Sequence, residues 1–213
     1  MSILLITKPT EACREAQRFL RALAPDCVVL EGERTDAMPD LLRKWSGDYL
    51  FSFVGPWIVP AAALTGTRQA AWNFHPGPPA YPGIGCYNFA LYDEAAEYGV
   101  TCHEMAPAVD TGRIVRVVRF PVFPEDTVAL LKERSMAYLL VLFYDVVGAL
   151  LKGVPPGVSD ERWTRQPYTR QQLDALCRLD HGMSAAEIRR RVRATTFPGA
   201  PGPYFEDGSP LPR

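Results

Sequence analysis

Histidine is scarce in this chain, with three in 213 residues, and no two cysteines stand as a Cys-x-x-Cys pair. Neither a structural zinc site nor a dithiol redox motif is therefore signalled. The five cysteines, Cys13, Cys27, Cys86, Cys102 and Cys177, are odd in number and scattered. They read as reduced thiols of a cytoplasmic protein. Charge of one sign is also missing: the formal net charge is -1. A nucleic-acid partner, which calls for a strong basic excess, is not expected. No glycine follows the first apolar run, where the sequence reads Thr7-Lys8-Pro9-Thr10. The glycine fingerprint that lets backbone N–H groups cradle a dinucleotide pyrophosphate is absent. Long hydrophobic runs are lacking as well. Met136 to Leu151 is mostly apolar but carries Asp145 and falls short of the roughly 20 residues of a membrane span. It reads as a buried core helix. Met1 to Thr7 has no basic lead and is too short for a signal peptide.

What is present is an ordinary globular composition, 47% hydrophobic and 22% charged. Ser2–Thr7, Cys27–Leu30, Asp48–Val54 and Gln69–Phe74 read as strands. Thr10–Leu23, Met38–Trp45 and the turn Ala61–Leu64 read as intervening helices. That alternation predicts an α/β fold, a Rossmann-like, mostly parallel sheet flanked by helices. Pro76 to Gly85 holds four prolines and three glycines and predicts a rigid loop. Beyond it, Tyr87–Glu97 reads as a helix, and Val100–Met105 and Ile114–Phe120 as strands. Ile114–Phe120 alternates as an edge strand would. Thr127–Lys152 reads as a long helix stopped by Gly153 and Pro155. Thr169–Gln172 and Ser184–Glu187 are capping-box patterns that open two short helices. A short strand is expected near Pro203–Glu206. Arg189, Arg190, Arg191 and Arg193 are expected on a solvated helix face.

Chemistry concentrates at the end of the fourth strand, in Asn73-Phe74-His75-Pro76. Strand alternation puts Asn73 and His75 on one face. In open α/β sheets the ligand crevice lies beyond the carboxyl ends of the strands. Asp110, in the turn Val109-Asp110-Thr111-Gly112, is a second polar group placed on a loop between strands. Cys86 and Cys102 lack the partners of a nucleophile. His181 reads as a surface residue.

Asn73-Phe-His75-Pro76, the loop ending Tyr81-Pro82-Gly83, Thr101-Cys-His103 and Asp110-Thr-Gly112-Arg-Ile114 together resemble the folate-dependent formyltransferase family. The resemblance covers roughly residues 48–120 and is nearest in kind to the sugar N-formyltransferases. It implies a catalytic domain over residues 1–155 and a short helical C-terminal extension over 156–213. It implies N10-formyltetrahydrofolate as formyl donor, no metal, and catalytic roles for Asn73, His75 and Asp110. His103 takes the place of the family's second histidine and is expected to support the site. The segment Ser52–Pro60 is similar to the one that grips the pterin. Pro56, Trp57, Ile58 and Val59 are thus expected at the cofactor, with Ala106 to Asp110 closing the other side. Two departures stand out: Pro56 replaces a frequent arginine, and Tyr81-Pro82-Gly83 lacks the arginine of the usual Tyr-Arg-Gly.

For the acceptor, the sequence offers no phosphate-cradling glycine loop after its first strand, which argues against glycinamide ribonucleotide. A transfer-RNA acceptor would call for a further domain of about a hundred residues, the size of an ordinary domain. The expected acceptor is therefore an amino sugar, which the family resemblance implies is linked to a nucleotide. Another small amine or hydroxamate precursor, or glycinamide ribonucleotide itself, is the alternative, and a folate-binding protein without turnover is the non-enzymatic one. The resemblance further implies a homodimer, for which Met136–Leu151 and the strand near Ile114 are candidate surfaces.

Overall fold

The computed structural model describes residues 1–157 and 159–211. Six strands form one sheet in the order β2-β1-β3-β4-β5-β6. They are β1 Ile3–Thr7, β2 Val28–Glu31, β3 Gly47–Phe53, β4 Thr67–His75, β5 Glu97–Glu104 and β6 Ile114–Pro121. The first four run parallel, with helices α1 Glu11–Leu23, α2 Asp40–Arg43 and α3 Ala61–Thr65 between them. β5 and β6 are added antiparallel, β5 against β4 and β6 at the edge. The parallel strands are covered on both faces, so β1 is a run of buried Ile3, Leu4, Leu5 and Ile6 with no polar alternation.

The two faces are unequal. One carries α1, α4 Cys86–Tyr92 and α5 Val128–Leu151 over the larger core, in which Phe143 meets Phe51, Phe53 and Phe74 edge-on. Such edge-to-face pairs add about 0.5–1.5 kcal/mol each beyond their burial. The other face carries α2 and α3 over a smaller cluster of Leu4, Ile6, Leu42, Trp45, Leu50 and Ala63. By length and composition α5 is apolar enough to cross a membrane. Here its buried face, from Leu131 to Val147, packs on the sheet, and Leu130 and Val141 on the opposite face are exposed.

The last segment holds α6 Arg170–Cys177, α7 Ala185–Thr195 and the two-stranded pair β7 Arg178–Leu179 with β8 Tyr204–Phe205. Side-chain caps open both helices, but of the two expected capping boxes one is complete: the Glu187 carboxylate turns to Arg190, Arg191 and Tyr92 instead. The Thr169 and Gln172 pair is reciprocal, and the Ser184 side chain accepts from the Glu187 N–H.

Two sequence expectations are corrected. The helix expected to reach Glu97 stops at Tyr92, because Glu94 takes a left-handed conformation (φ 53°) and the Ala95 N–H closes onto Ala90 O. That is a helix stop of the kind glycine usually makes. The arginines of α7 are mostly docked rather than solvated. Arg190 and Arg191 converge on Glu187, Arg190 lies 4.4 Å from the Tyr92 ring, and Arg193 donates to the carbonyls of Asp126 and Phe123. Arg189 alone of the four is exposed.

Candidate active site

The ends of β4 and β5 place the polar groups. Their antiparallel register sets Asn73 opposite His103 and His75 opposite Thr101. The chain then turns back toward β6 through Asp110, whose φ of 48° is unusual for a residue with a side chain. Gly112 is obligatory at this turn: a Cβ there would stand 1.8 Å from Glu104 O.

Asp110 is the hub. Oδ1 faces His103 Nε2 at 3.2 Å and Asn73 Nδ2 at 3.4 Å; Oδ2 faces His75 Nδ1 at 3.2 Å and accepts from the Gly83 N–H at 2.8 Å. It is 4% exposed. Burial opposes its charge, but His75, His103 and the Gly83 N–H outweigh it and hold the carboxyl well below the ordinary carboxylate range. His103 Nδ1 donates to Glu104 O at 2.7 Å. Its Nε2 then either accepts from Asn73 or donates to Asp110, depending on whether that nitrogen carries a proton.

Hydrogen bonds hold the start of the proline-rich loop. Tyr98 OH and the Cys86 thiol both donate to Pro76 O, and Thr101 Oγ1 donates to Gly77 O. Its far end is stitched to the C-terminal segment: Tyr168 N–H donates to Pro82 O, and Ile84 N–H donates to Tyr168 O. Gly83 lies between these bonds at φ 87°, and a Cβ on it would meet Tyr168 O at 2.4 Å. Gly83→Ala is therefore expected to destabilise the fold by about 2 kcal/mol, from left-handed strain and the clash. It should also pull the N–H away from Asp110. Thermal unfolding and a rate assay check this; unchanged values in both would show that the loop yields freely.

The cleft beside these groups holds about 740 Å3, within the range of small-molecule sites. Of the residues expected from the sequence, Pro56, Trp57, Ile58, Val59, Asn73, Ala106 and Asp110 all line it. His75 does not: it is 5% exposed, behind Asp110, with Nε2 3.1 Å from Tyr81 O. The imidazole that borders the cleft is His103. Val54, just after β3, also has positive φ (51°), backbone strain of a kind that collects at functional sites. Among the described residues, no group of three His, Cys, Asp or Glu could hold a metal ion.

Sequence reasoning passed over several residues that complete the site. Lys8, Arg34 and Arg170 line the cleft and form no ion pair among the described residues, while Asp110 is the one carboxylate lining it. Trp163 stands edge-on to both imidazoles, with centroids 6.0 Å from His75 and 5.0 Å from His103, and its Nε1 donates to Gly112 O at 2.7 Å. Its segment carried no motif; a tryptophan in an otherwise polar stretch was the available signal.

Comparison with known proteins bears on the family and the fold. The family described as formyl transferase matches residues 31–138, over half of the chain. Methionyl-tRNA formyltransferase of Xanthomonas axonopodis pv. citri is 28% identical over 154 residues, 72% of this chain and 50% of that protein. The chain thus spans about half the length of the curated relatives it matches. Among solved structures, a sugar N-formyltransferase from a Shewanella species superposes with a TM-score of 0.77 at 18% identity, covering 98% of this chain and 95% of that one. The N-formyltransferase of Helicobacter canadensis, in complex with folinic acid and dTDP-3-aminofucose, gives 0.75 at 17% identity, covering 91% and 80%. At these identities the likeness is one of fold.

Proposed function

We propose, because this chain belongs to the formyl transferase family, that it moves the formyl group of N10-formyltetrahydrofolate to the amino group of a nucleotide-linked amino sugar. The observation that carries the reading is the convergence of Asn73, His103 and Asp110 on one cleft that Trp57, Ile58 and Val59 also line.

In this reaction the acceptor nitrogen attacks the formyl carbon, and the carbonyl oxygen becomes an oxyanion. The C–N10 bond then breaks, the proton lost by the amine goes to N10, and the products are a formamide and tetrahydrofolate. Asn73 faces the cleft with an amide N–H and would donate to the oxyanion. Asp110 would orient the ammonium or an attacking-side water. A carboxylate held so firmly ionised is a weak base, so it relays the proton rather than keeping it. His75 lies on the far side of Asp110 and would hold the carboxylate charged and in place. Its own N–H reaches the oxyanion only by leaving Tyr81 O. The donor's pterin would enter the apolar slot at Pro56 to Val59, with Ala106 on the other side.

The sugar acceptor is favoured by the absence of a basic surplus for RNA and by the folds that carry sugar N-formyltransfer. The five cysteines are free, which suits a cytoplasmic setting. The test is transfer from N10-formyltetrahydrofolate to a panel: nucleotide-linked 3- and 4-amino sugars, glycinamide ribonucleotide, N-hydroxyornithine and charged initiator tRNA. A gain of one formyl mass on an amino sugar is expected. Transfer only to tRNA would overturn the acceptor, and no folate binding would overturn the donor.

A further inference from the structure

A second cavity of about 530 Å3 opens beside the catalytic cleft. Asn88 of α4, Lys132 of α5, Arg170 and Asp174 of α6, and Phe197 and Tyr204 of the tail are among its walls. Arg170 lines both cavities, so the start of α6 is a shared wall.

The chemistry of the second cavity is specific. Neither Lys132 nor Arg170 forms an ion pair among the described residues, although Arg134, on the same helix as Lys132, pairs with Asp126. Asp174 is the one carboxylate in the wall, and it too forms no ion pair there. Two cations without anionic partners suit phosphate oxygens, which accept charge-assisted hydrogen bonds. Lys132 Nζ sits 4.8 Å from the Phe197 ring centroid, so its charge rests against an aromatic face rather than a carboxylate. Phe197 and the half-exposed Tyr204 supply flat apolar surface for a planar base. Asn88 donates through Nδ2 to Ala194 O at 2.7 Å, which leaves its Oδ1 as an acceptor for a base N–H. Asp174 offers acceptors for ribose hydroxyls.

We propose that this cavity seats the nucleoside diphosphate of the acceptor. The phosphates lie on Arg170 and Lys132, the base against Phe197 and Tyr204, and the amino sugar passes Arg170 into the cleft toward Asn73 and Asp110. The inference rests on the nucleotide-linked amino sugar as acceptor. It assigns specificity for the nucleotide to residues outside the catalytic cluster and apart from the pterin slot.

The test is calorimetric titration of the whole chain with dTDP, UDP and inorganic pyrophosphate, and separately with folinic acid as a donor analogue. One of the nucleotides should bind wild type more tightly than pyrophosphate does. Lys132→Ala and Tyr204→Ala should each weaken it by about fivefold or more, the order of a lost charged or stacking contact. Lys132→Arg should restore most of the binding, and folinic acid affinity should stay unchanged throughout. Nucleotide binding indifferent to both alanine variants, or displaced by folinic acid, would overturn the proposal. Should a dTDP- or UDP-amino sugar be formylated while Lys132→Ala leaves its KM unchanged, this seat falls and the activity stands. Should nucleotide binding depend on Lys132 while no amino sugar is formylated, the seat stands and the acceptor falls.

Discussion

Asparagine in place of Asp110 is expected to slow formyl transfer by about 10³-fold, the middle of the range for a lost proton-handling group, with the fold retained. The substitution keeps the shape of the side chain and removes its charge. In the native protein that charge faces two imidazoles at 3.2 Å each and the Gly83 N–H at 2.8 Å. Without it, His75 and His103 lose the anion that holds them, and the cleft loses its one lining carboxylate. The pH dependence has a definite sign. Asp110 has a depressed folded pKa, so its contribution to stability is present above the unfolded value near 3.8 and disappears as pH falls through the folded value. The stability gap between wild type and Asp110→Asn should therefore be constant from pH 8 to pH 5 as far as Asp110 itself is concerned, and shrink only in stronger acid. Single-turnover rates and thermal unfolding against pH measure both. A rate within tenfold of wild type would remove Asp110 from the reaction.

That prediction joins residues far apart in sequence, and here the chain's legibility divides. Asn73 and His75 were readable together because a strand's period of two puts them on one face, and the sheet observes it. Asp110 was readable through its turn and its resemblance, and the β5–β6 hairpin delivers it. The ring of His75 was not readable. Strand alternation fixes the side of the sheet, but the turn toward Tyr81 O depends on a loop whose path is tertiary. Trp163 and Arg170 were missed for the same reason: they come from the extension, whose course over Pro79 and Pro82 is set by backbone bonds to Thr164 and Tyr168. The end of α4 was misplaced because Glu94 does the work expected of glycine. The arginines of α7 misled because their partners, Tyr92, Phe123 and Asp126, lie roughly 70 to 100 residues earlier.

Asn73→Ala is expected to lower kcat by about 10²–10³-fold, the cost of removing one oxyanion donor. Donor affinity should stay within about twofold, because an oxyanion donor makes its contact in the transition state and not in the bound donor. A complication is built into the geometry. Asn73 Nδ2 is also 3.1 Å from His103 Nε2 and 3.4 Å from Asp110 Oδ1. Its loss could act by freeing His103 instead of by exposing the oxyanion. A double-mutant cycle separates the two. If Asn73 works through His103, Asn73→Ala adds little on top of His103→Ala. If it works on the oxyanion, the two losses multiply. Serine at 73 is too short to span the same gap and should behave like alanine in kcat. A fall in donor affinity that matches the fall in kcat would instead make Asn73 a part of the folate pocket.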